Sequence, residues 1–432
     1  MAGPPPPPPA SSGVSSSAPA PTVPPASSLP PAVKRRYDEI VRGIAPGRTA
    51  SKRKRTLYQS MNAFERLISA SKHFPRGVNP FFDISLVMTY GTESNWGEGS
   101  SSFTPEELRY AAAFDKLFAV DPDLLDPMKQ FYLEMAEKPD QWERLVTTMR
   151  QAATSARTSD TNGLKHKLLY FVPDPTKHVI YPPVSTHEKK TDRGLSHPML
   201  RHFIIGYADR LKLPPLVFPT VNSPSLPTPP ASSDEGSSPS PDPSPPNPIL
   251  QNIVAGRYKL LYKPYSSFLY ADDSYNPEVL DQGLLRGDAI PRFLRHIWLG
   301  PQYAILGAGK KISKTSNASL HNVKKVTPEM ICYAVVQART ALGTSDWTVR
   351  DGEYNFEKLF NSLIKLCVAD PDDAEDVWPQ ELLDWCQQQV FGGATIDSES
   401  EAEKSSDEED VLAQRRRRRR AAADSDAAAL PA

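Results

Sequence analysis

The sequence predicts a mainly α-helical globular core with at most a small β element. A disordered Pro/Ser-rich insertion interrupts the core, and disordered tails flank it. Three observations predict this. Proline supplies 45 of 432 residues and is crowded into a few stretches, which lack the apolar surface needed to offset the entropy of ordering them. Between those stretches, apolar residues recur at helical spacing. Strand-like alternation is short and weak wherever it occurs.

Taken in order, residues 1–33 open with MAGPPPPPPASSG and carry no charge, so an extended tail is expected. Residues 34–55 form a basic segment with nine basic and two acidic side chains. The first half of the helical core is expected over 56–217. There, FTPEELRYAAAFDKLF has Thr104 as N-cap, Pro105 at the first helical position and Glu107 at the third, a capping box. Leu108, Ala111 and Phe118 are read as the apolar members of its face. In DQWERLVTTMRQAA, Trp142, Leu145, Val146 and Met149 share a second face. Residues 218–248 carry 11 prolines and form the disordered insertion. The second half of the core follows over 249–393. Its VTPEMICYAVVQARTAL helix starts at Thr327 and shows one stripe of Ile331, Ala334, Val335, Ala338 and Leu342. Two more helices place Phe356, Leu359, Phe360, Leu363, Ile364 and Cys367, then Leu382, Leu383, Cys386 and Val390, on apolar faces. The strand candidates are LLYFVP, HVIYPPV and SSFLYA. Residues 394–432 form an acidic and then Arg-rich tail.

Composition excludes several classes. Cys332, Cys367 and Cys386 are the only cysteines, too few and too far apart for a disulfide framework or a four-ligand zinc site. They fit small buried hydrophobes in a reducing compartment. No apolar run approaches a membrane span, and a polyproline start is not a secretory signal. Neither a cofactor nor a metal is expected.

The stretch ILGAGKKISKT (305–315) has the vocabulary of a phosphate loop. A Walker loop needs a glycine five residues before its Gly-Lys pair and a hydroxyl after it. Ala304 and Lys311 occupy those positions. The dinucleotide pattern that starts at Gly307 and Gly309 meets Ile312 where its third glycine belongs. Both motifs fail. What remains is a basic loop, 307–325, with Lys310, Lys311, Lys314, Lys324 and Lys325 and no acidic residue. It leads into a helix N-terminus, a setting that suits a phosphate backbone.

Further residues carry a resemblance: Lys310, Lys311, Asn317, Ala318, Leu320, His321, Val326, Thr327, Pro328, Gln337, Arg339, Ala341, Leu342, Phe360 and Asn361. With SARTSDTNGLKHKLL and KTDRGLSHPMLRHFI upstream, the chain resembles an uncharacterised family expanded in mushroom-forming (basidiomycete) fungi, over about 150–393 and more loosely 50–150. The resemblance implies that 218–248 is an insertion inside one family domain, whose halves pack together. It supplies no chemistry. Lys311 and Asn322-Val323 depart from the family's commoner Arg and Gly-Met.

Other constellations read as structure. His187, His197 and His202 lack metal-ligand spacing. Asp192 is expected to cap the following turn, with Arg193 in an ion pair. Adjacent Asp272 and Asp273 point apart and suit a turn, and Cys386 has no base assigned to it. No catalytic residue is identified.

The tails hold the clearest signal. Lys34, Arg35 and Arg36, with Lys52, Arg53, Lys54 and Arg55, form a two-part import or polyanion signal. Arg415, Arg416, Arg417, Arg418, Arg419 and Arg420 form a second. Ser398, Ser400, Ser405 and Ser406 each have an acid three residues on, the pattern of acidophilic kinases, and phosphates there would add charge opposite the arginines. The resulting expectation is a non-enzymatic nuclear (otherwise cytoplasmic) protein that contacts nucleic acid or chromatin non-specifically through basic segments. An alternative is an interaction scaffold that uses its helical core as a docking surface and its proline-rich segments as ligands for proline-binding modules. An enzyme of unrecognised type comes third.

Overall fold

A computed structural model describes residues 29–46, 58–97, 102–167, 171–174, 178–185, 190–216, 219, 247–272, 274–307, 309, 316–369, 372–373 and 375–392. Helices dominate them. The first six form the N-terminal part: α1 (Pro31–Gly43), α2 (Ala63–Gly77), α3 (Ile84–Trp96), α4 (Pro105–Ala119), α5 (Leu125–Leu133) and the 29-residue α6 (Pro139–Lys167). Short helices follow: α7 (Arg201–Ile204), α8 (Tyr207–Arg210) and α9 (Pro248–Val254). The rest are α10 (Ala289–Trp298), α11 (Pro301–Leu306), α12 (Asn317–Leu320), α13 (Pro328–Leu342), α14 (Phe356–Leu366) and α15 (Trp378–Phe391). No described helix is long and apolar enough to cross a membrane.

Local chemistry accounts for many of these boundaries. The capping box of α4 forms as expected, Thr104 accepting from the Glu107 amide while Glu107 accepts from the Thr104 amide. A second box that sequence reading overlooked, Asn62 with Glu65, starts α2. Thr327 caps α13 and Asn355 caps α14. α1 begins at Pro31, so residues 31–33 of the expected tail and 34–43 of the basic segment share one helix. Its Val33, Tyr37 and Ile40, at i, i+4 and i+7, are buried.

Two apolar clusters form. The first gathers Ile40, Leu67, Phe74, Val87, Phe114, Met128 and Met149 among others from α1 to α6. The second draws on residues 164–207 and 268–391, so chain on both sides of 218–248 lies in one core. α6 serves both, giving Leu145, Met149 and Ala153 to the first and Leu164 to the second. Helix α13 is central, packing against α10, α14, α6 and α2. Every residue from Met330 to Leu342 is buried, so the single stripe read from sequence becomes a helix enclosed all round.

Two expectations are corrected. Leu108 of α4 is 50% exposed, and the packed face is Ala111, Phe114, Leu117 and Phe118. The reason is Gly91 of α3. A Cβ there would lie 2.2 Å from the Cβ of Phe114, so the missing side chain lets the Phe114 side of α4 close on α3. Of the three strand candidates, HVIYPPV and SSFLYA form no strand, and the described part of LLYFVP (171–173) forms none either. Ser267–Leu269 is a 3-10 turn, with isolated bridges from Ser266 to Gly206 and from Tyr270 to Leu284. Among the described residues the sheet is one hairpin, β1 (Arg350–Asp351) antiparallel to β2 (Tyr354–Asn355).

Candidate functional site

The seam between the two clusters is polar. Asp160 projects from α6 between α2 and α13. Arg76 grips it with both arms, Nε donating to Oδ2 at 2.7 Å and Nη2 to Oδ1 at 2.8 Å. Tyr333 donates its hydroxyl to Oδ2 at 2.9 Å. Gln337, one turn on, donates to the Tyr333 oxygen at 2.8 Å and accepts from Thr161 at 3.0 Å. Burial works against the Arg76 charge and the Asp160 carboxylate more than restores it, so the guanidinium holds its proton more tightly than usual.

His321, which follows α12, joins this network from outside. Its Nδ1 lies 2.8 Å from Ser69 Oγ, and its Nε2 lies 3.1 Å from Arg76 Nη1. A serine beside an imidazole is the outline of a nucleophile and its base. The third partner decides against that role. A guanidinium only donates, so Nε2 accepts and Nδ1 carries the hydrogen. Nδ1 therefore donates to Ser69, whose hydroxyl donates onward to the Leu320 carbonyl at 3.0 Å. The imidazole lone pair is already used, and Ser69 has no base. Burial, then the charge of Arg76 and the neighbouring His73, hold His321 well below the usual histidine range. Burial pulls His73 down to about 4, and its ring lies 5.6 Å from those of both His321 and Trp298.

Outside this network lies a cleft of about 390 Å³, walled by Phe64, Ser69, Lys72, Ser155, Asn317 and His321 among others. Its α12 wall is the direct continuation of the basic loop. Ser316 caps α12 through the Ser319 amide, and Asn317 ties it to the Ile297 carbonyl.

The basic residues read from sequence divide. Lys324 and Lys325 are exposed at the entry to α13, where Gln387 of α15 accepts from the Val326 amide and donates to the Lys324 carbonyl. Lys310, Lys311 and Lys314 lie outside the described residues. On α1, Lys34 pairs with Asp38 at 2.9 Å and Arg36 with Asp123 at 2.6 Å, while Arg35 is exposed. Lys52–Arg55, Arg415–Arg420 and the four serines between 398 and 406 lie outside the described residues.

Of the histidine-rich stretch His187 lies outside the described residues, and His197 has a structural role that was expected of Asp192. His197 caps the turn, its Nδ1 accepting from the Met199 and Leu200 amides and its Nε2 donating to the Pro182 carbonyl. Asp192 accepts from the Ser185 amide, and Arg193 binds carbonyl oxygens in place of the expected ion pair. Among the described residues no group of three or more His, Cys, Asp or Glu could hold a metal. The three cysteines are free and buried, and burial pushes the thiols of Cys332 and Cys386 upward.

Sequence reading missed Ser69, Arg76, Asp160 and Tyr333. One signal was available: Tyr333, Gln337, Arg339 and Thr340 interrupt α13, which is otherwise apolar from Met330 to Leu342.

Fold and seam together define a mainly helical protein with a buried ionic lock between an N-terminal bundle and a second helical core. The pattern of a family of unknown function, DUF6698, matches residues 151–391. The match takes in more than half of the chain, which therefore belongs to that family. It begins inside α6 and contains Asp160, His321, Tyr333 and Gln337, whereas Ser69 and Arg76 precede it. No curated protein and no solved structure matches the chain.

Proposed function

We propose that this is a non-enzymatic, nuclear protein of fungi that holds nucleic acid, free or in chromatin, by its phosphate backbone. The observation that carries the reading is the continuity of the basic loop with the cleft. Residues 307–325 bring five lysines without an acidic residue, and the α12 turn within them lines the cleft together with Lys72 and Glu65. The Ser155 hydroxyl and the second amide hydrogen of Asn317 in that cleft suit phosphate oxygens. The spent lone pair of His321 favours binding over hydrolysis. The basic runs at 34–55 and 415–420 would add further phosphate contacts.

The test is binding of labelled single- and double-stranded oligonucleotides by the full chain as salt is raised. Affinity should fall steeply with salt. Changing Lys310, Lys311, Lys314, Lys324 and Lys325 to Ala should weaken binding about tenfold or more. It should also flatten the salt slope by about 0.9 for each duplex phosphate that the variant no longer neutralises. Unchanged affinity and slope in that variant would remove the loop from the reading. No binding by the full chain would sink it and leave the interaction scaffold. That second reading is favoured by the half-buried aromatic ladder of Phe82, Tyr110, Tyr90 and Phe103 beside exposed Leu86 and Leu108.

A further inference from the structure

We propose that the cavity at the C-terminal end of α13 binds a small organic carboxylate, whose charged end is taken by Arg339 and Arg193. The last carbonyls of a helix lack intrahelical partners and attract cations, and two buried cations are accounted for in this way. Lys190 donates to the Thr340 carbonyl at 2.8 Å and also to that of Ser345. Arg193 Nη1 donates to Ala341 at 2.8 Å, and its Nη2 reaches the carbonyls of Lys165 and Ser185.

Arg339 is only partly accounted for, by the Tyr354 hydroxyl. It is 1% exposed, its Nε and Nη1 have no hydrogen-bond partner, and no carboxylate pairs with it among the described residues. It rests against the rings of Tyr354, at 4.5 Å, and Phe356, at 5.9 Å. The Nε of Arg193 is likewise buried without a partner. Asp192 lends its charge to Arg193, and Asp346, 86% exposed, lies 3.9 Å from Lys190, but neither forms an ion pair with Arg339. A buried guanidinium with unmade donors is costly unless something negative completes it.

Beside these nitrogens lies a cavity of about 440 Å³, walled by both arginines and by Leu195, Ile204 and Leu260, a size suited to small molecules. Gly343 covers the guanidinium so closely that a Cβ would come within 2.7 Å of Nη1. The cover is thus a bare backbone turn next to exposed Thr344, and a ligand reaches Nη1 by shifting that turn.

The walls select the ligand class. Guanidinium donors match a carboxylate, and the leucine and isoleucine wall takes an apolar body. Asp351 and Glu353 at the rim, the latter paired with Lys259 at 2.5 Å, oppose a second negative charge. The cavity therefore differs in kind from the cleft proposed for nucleic acid, and the two readings stand or fall separately.

Thermal unfolding of the full chain tests this, with benzoate as the probe, inorganic phosphate as the comparison and ionic strength held constant with chloride. Benzoate should raise Tm saturably, and phosphate should do no more than chloride. Arg339→Met should abolish the benzoate shift while unfolding, without ligand, no earlier than the wild type, because a buried unpaired charge has gone. Arg339→Lys keeps the charge but loses the planar set of donors and should weaken benzoate about tenfold. It is the variant to read if Arg339→Met does not fold. A wild type indifferent to benzoate, an equal shift with phosphate, a shift that survives in Arg339→Met, or unchanged affinity in Arg339→Lys would overturn the proposal.

Discussion

Asp160 has three donor atoms on two oxygens and is only 8% exposed. Its removal therefore acts chiefly through what it leaves behind, a buried Arg76 guanidinium whose counter-charge has gone. Asp160→Asn should cost about 3–5 kcal/mol in urea unfolding, and Arg76→Met a similar amount. The pair Arg76→Met with Asp160→Leu should recover much of either loss, because two matched apolar groups strand no charge. A single Asp160→Asn change within about 0.5 kcal/mol of wild type would show that the lock contributes little. Ser69 and His321 teach the complementary lesson. Their 2.8 Å separation resembles catalytic geometry, and one further hydrogen bond from Arg76 assigns the tautomer that disables it.

At the scale of elements, α13 and α4 show how packing overrides periodicity. α13 has a fair apolar stripe, but neighbours on every side enclose Tyr333, Gln337 and Arg339 as well. Those polar side chains then need partners: Tyr333 and Gln337 find theirs in the lock, whereas Arg339 at the C-terminal end keeps donors without a partner. On α4 two apolar faces were available, one led by Leu108 and one by Phe114. Gly91 admits the second against α3. Gly91→Ala should therefore destabilise by about 1–3 kcal/mol through overpacking, even though alanine favours a helix by up to about 1 kcal/mol. A Gly91→Ala chain as stable as wild type in urea would mean that the helices can part without loss.

For the whole molecule, the histidines around the seam set its response to acid. Burial brings His73 and His296 down to about 4, against roughly 6.5 for an unfolded chain. Between those values the unfolded state binds protons that the folded state refuses, so stability is complete above pH 6.5 and is lost as pH falls toward 4. Each histidine should contribute up to roughly 3 kcal/mol to that loss. Urea midpoints measured at the two ends of the window should differ accordingly, and His73→Gln should reduce the difference. Equal midpoints across the window would mean that these rings are protonated without loosening the seam. Because α6 runs through both cores, the region matched to the family, which begins at residue 151, does not include the whole of the helix on which Asp160 stands.

The sequence by itself determined what depends on near neighbours along the chain. The Thr104–Glu107 box, the Thr327 cap, the apolar spacing of α14 and α15 and the failure of both nucleotide motifs at 305–315 are all set by residues within a few positions of one another. Only the tertiary structure decided the seam. Arg76 and Asp160 are 84 residues apart and Ser69 and His321 are 252 apart, so no periodicity links them. The same holds for Lys190, Arg193 and Arg339, which look like ordinary basic residues until the chain brings them to one end of α13. A charge shows its role only when it is known which groups were buried with it and which of them lack a partner.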